Sequence, residues 1–312
     1  MKFVIVGAGG VGSYFGVKLL EAGHEVLFVA RAKHLEIIKR DGLKLSHPKF
    51  SFNEKVNAID FNELQKCDFS TIDSIILCTK SITTSKIAKD LYLILKNNDT
   101  IPYIVSLQNG VENENQFLKY FSKEKIIGAI VRKIGAHIIQ PGVVEVTGNV
   151  EVVVGPMKNN EANSIFLDKF SKILNNTDIM CEVSSDIQLE LWKKLIINNG
   201  VNALCALLEI KTGVLMHHKK LSNIVYGLML ETAQAAKYLD VAICDKDIDE
   251  MFNLIKNFDS IKPSMLVDRE FKRGLELEDI CGVVIKYNAL QNYDAPYTKT
   301  VFTILEFIYK NE

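Results

Sequence analysis

The sequence predicts an α/β domain followed by an all-α helical domain, and three observations carry that reading. Short apolar runs alternate with helix-forming stretches from the N-terminus to about residue 184. A glycine-rich turn joins the first apolar run to the first helical stretch. From Ser185 onward almost every stretch reads as helix. Alternating β and α patterns build a parallel sheet, and a switch to helix alone marks a boundary. The predicted domains are 1–184 and 185–312.

The first strand is Phe3 to Val6, followed by Gly7-Ala8-Gly9-Gly10-Val11-Gly12. A helix runs to Ala22, Gly23-His24 turns the chain, and Val26 to Val29 forms a second strand. Strand, glycine turn, helix, strand is a dinucleotide-binding βαβ unit of the Rossmann type. Gly7 allows the tight turn, Gly9 admits the pyrophosphate to the backbone, and Gly12 lets the helix pack close to the sheet. Ala8, Gly10 and Val11 complete the expected cofactor-binding loop, with the diphosphate at the positive end of the helix.

The second strand ends Val29-Ala30-Arg31, with Lys33 just beyond and no carboxylate at its tip. An NAD enzyme usually places Asp or Glu there to hold the ribose 2′-hydroxyl. A guanidinium pairs instead with a 2′-phosphate and stacks on adenine. The expected cofactor is therefore NADP(H), with Arg31 as the discriminating residue. The alternative is a solvated arginine in a loop.

The remaining elements follow in order. Lys33 to Arg40 reads as a short helix, and residues 42–58 alternate weakly, as short strands do. Ser74 to Thr79 is a buried strand ending at Lys80, and a helix spans about Thr84 to Leu95. Tyr103 to Leu107 is a strand ending in Gln108-Asn109-Gly110. A helix near Glu112 to Phe121 and a strand at Ile126 to Val131 come next. Ile138 to Val146, through Pro141-Gly142, reads as a hairpin, with Val150 to Val154 a further strand. A helix near Ala162 to Leu174 and a strand near Ile179 to Val183 complete the domain.

Composition narrows the class. The 312 residues are 48% hydrophobic and 24% charged, which fits a globular protein. A net charge of −1 implies no nucleic-acid partner and no attraction to an anionic membrane. No apolar run reaches bilayer-spanning length. Cys67, Cys78, Cys181, Cys205, Cys244 and Cys281 are scattered, without CxxC or metal-ligand spacing. That pattern predicts reduced thiols, no metal and a cytoplasmic location. The chain opens directly in its first strand, so no signal or transit peptide is expected. Apolar helices after Leu221 can bury within one chain or against a second copy, leaving a homodimer open.

In the second domain, Ser184-Ser185-Asp186 offers a helix N-cap. Lys194, Asn198 and Asn202 then recur at i, i+4 and i+8, one polar stripe on a largely apolar helix. Asparagine is a poor helix former, so the stripe serves either a ligand or an internal helix-pairing network. Nearer the C-terminus, Pro263-Ser264 starts a helix, Gly274 breaks it, and another begins around Glu276.

Taken together, these motifs resemble the ketopantoate reductase family over almost the whole length. The resemblance rests on GAGGVG at the start, Thr79-Lys80, Gln108-Asn109-Gly110, WKKLIINNGVNAL at 192–204 and PSML…LELEDICG at 263–282. It implies NADPH-dependent reduction of 2-dehydropantoate to (R)-pantoate, a step towards pantothenate and coenzyme A. It implies that Lys194 is the catalytic lysine and that Glu276 is an acid of the active site. Asn198, Asn202 and Ser264 are implied to bind substrate together with Lys194, and Lys80 and Asn109 to bind cofactor. The active site is expected in a cleft between the domains. Adjacent Lys193 leaves a one-residue ambiguity; Lys194 is preferred because it shares the face of Asn198 and Asn202. Two alternatives stay open: a reductase of another 2-oxo or imino acid on this scaffold, and a non-catalytic NADPH-sensing protein.

Overall fold

The computed structural model describes residues 1–257 and 260–311. The chain divides into two compact units, residues 1–108 with 113–187 and residues 109–112 with 188–312.

The first unit contains β1 (Lys2–Val6), α1 (Gly10–Glu21), β2 (Glu25–Val29), α2 (Ala32–Asp41), β3 (Leu43–His47), β4 (Phe50–Glu54) and β5 (Asn57–Ile59). It continues with β6 (Ser74–Leu77), α3 (Thr84–Leu95), β7 (Tyr103–Ser106), α4 (Asn113–Leu118), β8 (Ile126–Arg132), β9 (Gly135–Gln140) and β10 (Val143–Thr147). It closes with β11 (Glu151–Pro156), α5 (Glu161–Asn175) and β12 (Met180–Val183). Eight strands form one sheet in the order β12-β11-β8-β7-β6-β1-β2-β5. All neighbours are parallel except β8 and β11.

Both faces of this sheet are covered. Phe3 and Ile5 of β1 pack with Phe15 and Leu19 of α1 and Phe166 and Phe170 of α5. Val4 and Val6, pointing the other way, pack with Leu91 and Leu95 of α3 and Phe117 of α4. A strand buried on both faces has no polar alternation, which is why β1 reads as an unbroken apolar run. The strand order reverses between β1 and β6. The glycine loop leaves β1 at that reversal, where open α/β sheets hold their ligands.

A second sheet, in the order β4-β3-β10-β9, joins the weakly alternating 43–54 region to the 135–147 hairpin. β3 and β10 pair in parallel. The strands are legible in sequence; their pairing is not, because it links segments far apart along the chain. α4 is shorter than the periodicity of residues 112–121 predicts. The N–H groups of Tyr120 and Phe121 both turn back to the Phe117 carbonyl and end it.

The second unit is built on α6 (Ile187–Leu208), α7 (Thr212–His217), α8 (Lys219–Ala236), α9 (Asp245–Lys256), α10 (Ser264–Glu270), α11 (Val283–Leu290) and α12 (Pro296–Asn311). A π-helical turn at Glu278–Gly282 leads into α11. α6 is about 33 Å long at the helical rise. It buries residues around most of its circumference, Trp192, Leu195, Ile196, Val201 and Leu204 among them, as a central helix does. Among the described residues, no helix is long and apolar enough to cross a membrane.

Candidate active site

In the first unit, Gly7 leaves β1 at φ +101°, in the left-handed region that glycine tolerates. The N–H groups of Gly7 and Ala8 both bond the Val29 carbonyl, at 3.0 and 3.1 Å. The N–H groups of Gly10, Val11 and Gly12 open α1 and have no intrahelical acceptor. No side chain caps this terminus and its first turn holds no acid. A Cβ on Gly9 would meet nothing, whereas one on Gly12 would strike the Gly7 carbonyl. Bare backbone ahead of an uncapped helix terminus is a cradle for a diphosphate.

Arg31 follows β2 as an exposed, extended residue that opens α2. Ala32 adopts φ +49°, unusual for a residue with a Cβ. Lys80 is exposed beyond β6, at the start of a tight helical turn over Ser81–Thr83. Gln108, past the end of β7, is buried. Its Nε2 donates to the Thr79 carbonyl at 3.0 Å and to Thr84 Oγ1 at 2.7 Å. Thr84 in turn donates to Asn113 Oδ1 at 2.8 Å. This network fixes the chain on either side of residues 109–112.

Those four residues belong to the helical unit. Tyr287 donates to Glu112 Oε1, and Lys286 bonds Glu112 Oε2 at 3.1 Å. Burial first and Glu112 second push the Tyr287 phenol well above its usual range. The segment is thereby pinned to α11, and it carries Asn109. Lys194 Nζ donates to Asn109 Oδ1 at 3.0 Å, and Asn109 Nδ2 donates to Glu276 Oε2 at 3.2 Å. Glu276 is only 7% exposed, two residues before the π-helical turn at Glu278–Gly282. Three residues widely separated in sequence thus form one chain of donors and acceptors.

Lys193 faces elsewhere. Its Nζ lies 2.7 Å from Asp247 Oδ1 of α9. Asp247, hydrogen-bonded by Lys193 and then by Cys244, has its carboxyl held down to about 2. Lys193 is committed to an ion pair between helices, and Lys194 to Asn109.

The asparagines of α6 divide by face. Asn198 is half-buried and Asn202 buried, one and two turns beyond Lys194. Asn199 is fully buried, and its Nδ2 reaches the Leu228 carbonyl, Thr232 Oγ1 and Thr298 Oγ1 at 3.3, 2.9 and 3.2 Å. Glu231 accepts from the Tyr297 and Thr298 N–H groups and from Thr298 Oγ1, capping α12 from α8. Asn199 therefore does the helix-pairing work, leaving the Lys194 stripe as a separate polar face. Ser264 is exposed at the start of α10. Glu278, the neighbouring acid, is exposed, unlike Glu276.

Residues 3–159 match the family profile described as ketopantoate reductase PanE/ApbA, and residues 186–309 match its C-terminal counterpart. The chain belongs to the ketopantoate reductase family. A 2-dehydropantoate 2-reductase of Pyrococcus abyssi is 29% identical over 306 residues, covering 98% of this chain and 97% of the relative. One from Nostoc is 27% identical over 319 residues, covering 98% and 95%. Among solved structures, 2-dehydropantoate 2-reductase from Geobacter metallireducens superposes with a TM-score of 0.87 at 27% identity, covering 99% of this chain and 100% of that one. D-mandelate dehydrogenase with NADH and anilino(oxo)acetate superposes with a TM-score of 0.88 at 23% identity, covering 100% and 99%. The latter likeness is one of fold.

Sequence reasoning missed Gln108, Glu112, Tyr287 and His34. His34 bonds Ala8 and Gly142, which are 26 and 108 residues away. No local pattern announces such partners.

Proposed function

We propose that this protein reduces 2-dehydropantoate to (R)-pantoate with NADPH, a step towards pantothenate and coenzyme A. Residues 1–184 are read as the nucleotide domain and 185–312 as the substrate and catalytic domain. The observation that carries the reading is the Lys194–Asn109–Glu276 chain of hydrogen bonds in a member of this family.

The residues present suit the cofactor. The uncapped N–H groups of Gly10 to Gly12 receive the diphosphate, with the bare backbone of Gly9 beside them. Arg31 receives the 2′-phosphate, and Lys80 and Asn109 provide further polar contacts. NADPH, when bound, supplies the hydride.

The chain's own work is on the oxygen. Lys194 gives a proton to the keto oxygen as the carbon is reduced, stabilising the charge that develops there. It ends as an amine and takes a proton back from water. Asn109 Oδ1 aims the ammonium, and Glu276 holds the Asn109 amide so that its oxygen, not its nitrogen, faces Lys194. Asn198, Asn202 and Ser264 bind the carboxylate and hydroxyl groups of the substrate without a metal.

A second reading, reduction of another 2-oxo acid, draws on one observation: the fold is shared with a D-mandelate dehydrogenase solved with anilino(oxo)acetate. A panel of 2-oxo acids with NADPH separates the two. Turnover of 2-dehydropantoate above the other acids supports the first reading. Turnover of another acid alone supports the second, and tight NADPH binding without turnover of any acid contradicts both.

A further inference from the structure

His34 lies in the first turns of α2 and is half-buried. Its Nδ1 accepts the Gly142 N–H at 3.0 Å, and its Nε2 lies 2.7 Å from the Ala8 carbonyl oxygen. A backbone N–H only donates, so Nδ1 carries no proton. The ring proton therefore sits on Nε2 and is donated to Ala8. Burial, partly opposed by the Ala8 bond, lowers the imidazole below its usual value and favours this neutral form.

Both partners matter to the cofactor loop. The Ala8 carbonyl also accepts from Ser13 Oγ at 3.1 Å. In a planar trans peptide the carbonyl and the following N–H point in opposite directions. Holding the Ala8 oxygen therefore fixes the direction of the Gly9 N–H. Gly142 is the turn of the β9–β10 hairpin, at φ +79°, where a Cβ would strike Ile37 of α2. The same hairpin meets the loop again at Gly10, where a Cβ would strike the Ala136 carbonyl. One imidazole thus ties the glycine loop, α2 and the hairpin together, and α2 opens with Arg31.

We propose that His34 is a positioning residue for NADPH recognition, setting the Ala8–Gly9 peptide plane and holding Arg31 in register with the glycine loop. This rests on the reading of Arg31 as the 2′-phosphate partner. The requirement is one donor reaching Ala8 from α2 and one acceptor for Gly142. Glutamine can place an amide N–H near the Nε2 position. Asparagine can place an oxygen near Nδ1 but is too short to reach Ala8.

The test is titration of NADPH and NADH against the wild-type chain and its H34L, H34Q, H34N and R31A variants, with a melting temperature for each. In H34L the NADPH dissociation constant rises about tenfold, the loss of one well-placed hydrogen bond, and the preference for NADPH over NADH narrows. H34Q recovers most of the NADPH affinity and H34N does not. An H34L chain that keeps the wild-type preference overturns the proposal, whatever its melting temperature. So does an H34N chain that recovers as fully as H34Q, and this contrast decides alone should H34L not fold. R31A weakening both cofactors equally would instead sink the 2′-phosphate reading, so the two failures are distinguishable.

Discussion

The Lys194 ammonium donates to the Asn109 amide oxygen at 3.0 Å across 85 residues of sequence. Asn109 passes its own N–H to the buried carboxylate of Glu276. An amide held at both ends cannot flip, so the lysine always meets an acceptor in the same place. That is the preorganisation a proton donor needs. Replacing Lys194 by alanine is expected to lower kcat by about 10²–10⁴, the range for a positioned general acid. NADPH affinity should stay near wild type. Steady-state kinetics with a direct cofactor titration checks both, and a K193A variant should retain most of its kcat.

Glu112 is expected to act through Asn109. Tyr287 and Lys286 both grip its carboxylate, pinning residues 109–112 to α11. Loosening a reactive group by a fraction of an ångström is costly in rate. Y287F is expected to lower kcat about tenfold while the substrate KM changes little. A KM effect with kcat unchanged would mean that Glu112 serves substrate binding instead.

Arg31→Ala is expected to weaken NADPH by about 10–100-fold, as loss of a charged hydrogen-bond pair does, and NADH far less. Equal weakening would remove the case for 2′-phosphate recognition.

The Lys193–Asp247 pair sets an acid-range prediction. Asp247 is held from 3.8 down to about 2. A depressed carboxyl contributes stability above its unfolded value, and that contribution fades as pH falls through the folded one. D247N should therefore cost about 1 kcal/mol at neutral pH, as a partly exposed pair does. The melting-temperature gap to wild type should close between about pH 4 and pH 2. A gap independent of pH would show that Asp247 acts by packing alone.

Asn199 should prove structural. N199L removes a donor shared by three acceptors and is expected to cost about 1–3 kcal/mol of stability, read by urea denaturation. Activity per folded molecule should hold.

Much of this was legible in sequence for a physical reason. β1 and β6 are buried on both faces and so read as apolar runs. The glycine turn is dictated by one positive φ and one close approach. Lys194, Asn198 and Asn202 recur at the helical period. The pairing of the second sheet was not legible, because β3 and β10 lie about a hundred residues apart along the chain. His34 and Glu112 were equally silent, since each earns its role from partners that only the folded chain brings near. The helical period already sets Asn198 and Asn202 apart from Asn199 in sequence, but only packing shows that Asn199 is spent on Thr232 and Thr298.

The most direct measurement is single-turnover oxidation of bound NADPH by 2-dehydropantoate in the wild-type and K194A chains, followed by nicotinamide absorbance. With Lys194 as proton donor, the wild type consumes its cofactor rapidly and K194A does so at least about a hundredfold more slowly, with the same amount of NADPH bound. Equal rates in the two chains would contradict the assignment of the proton to Lys194.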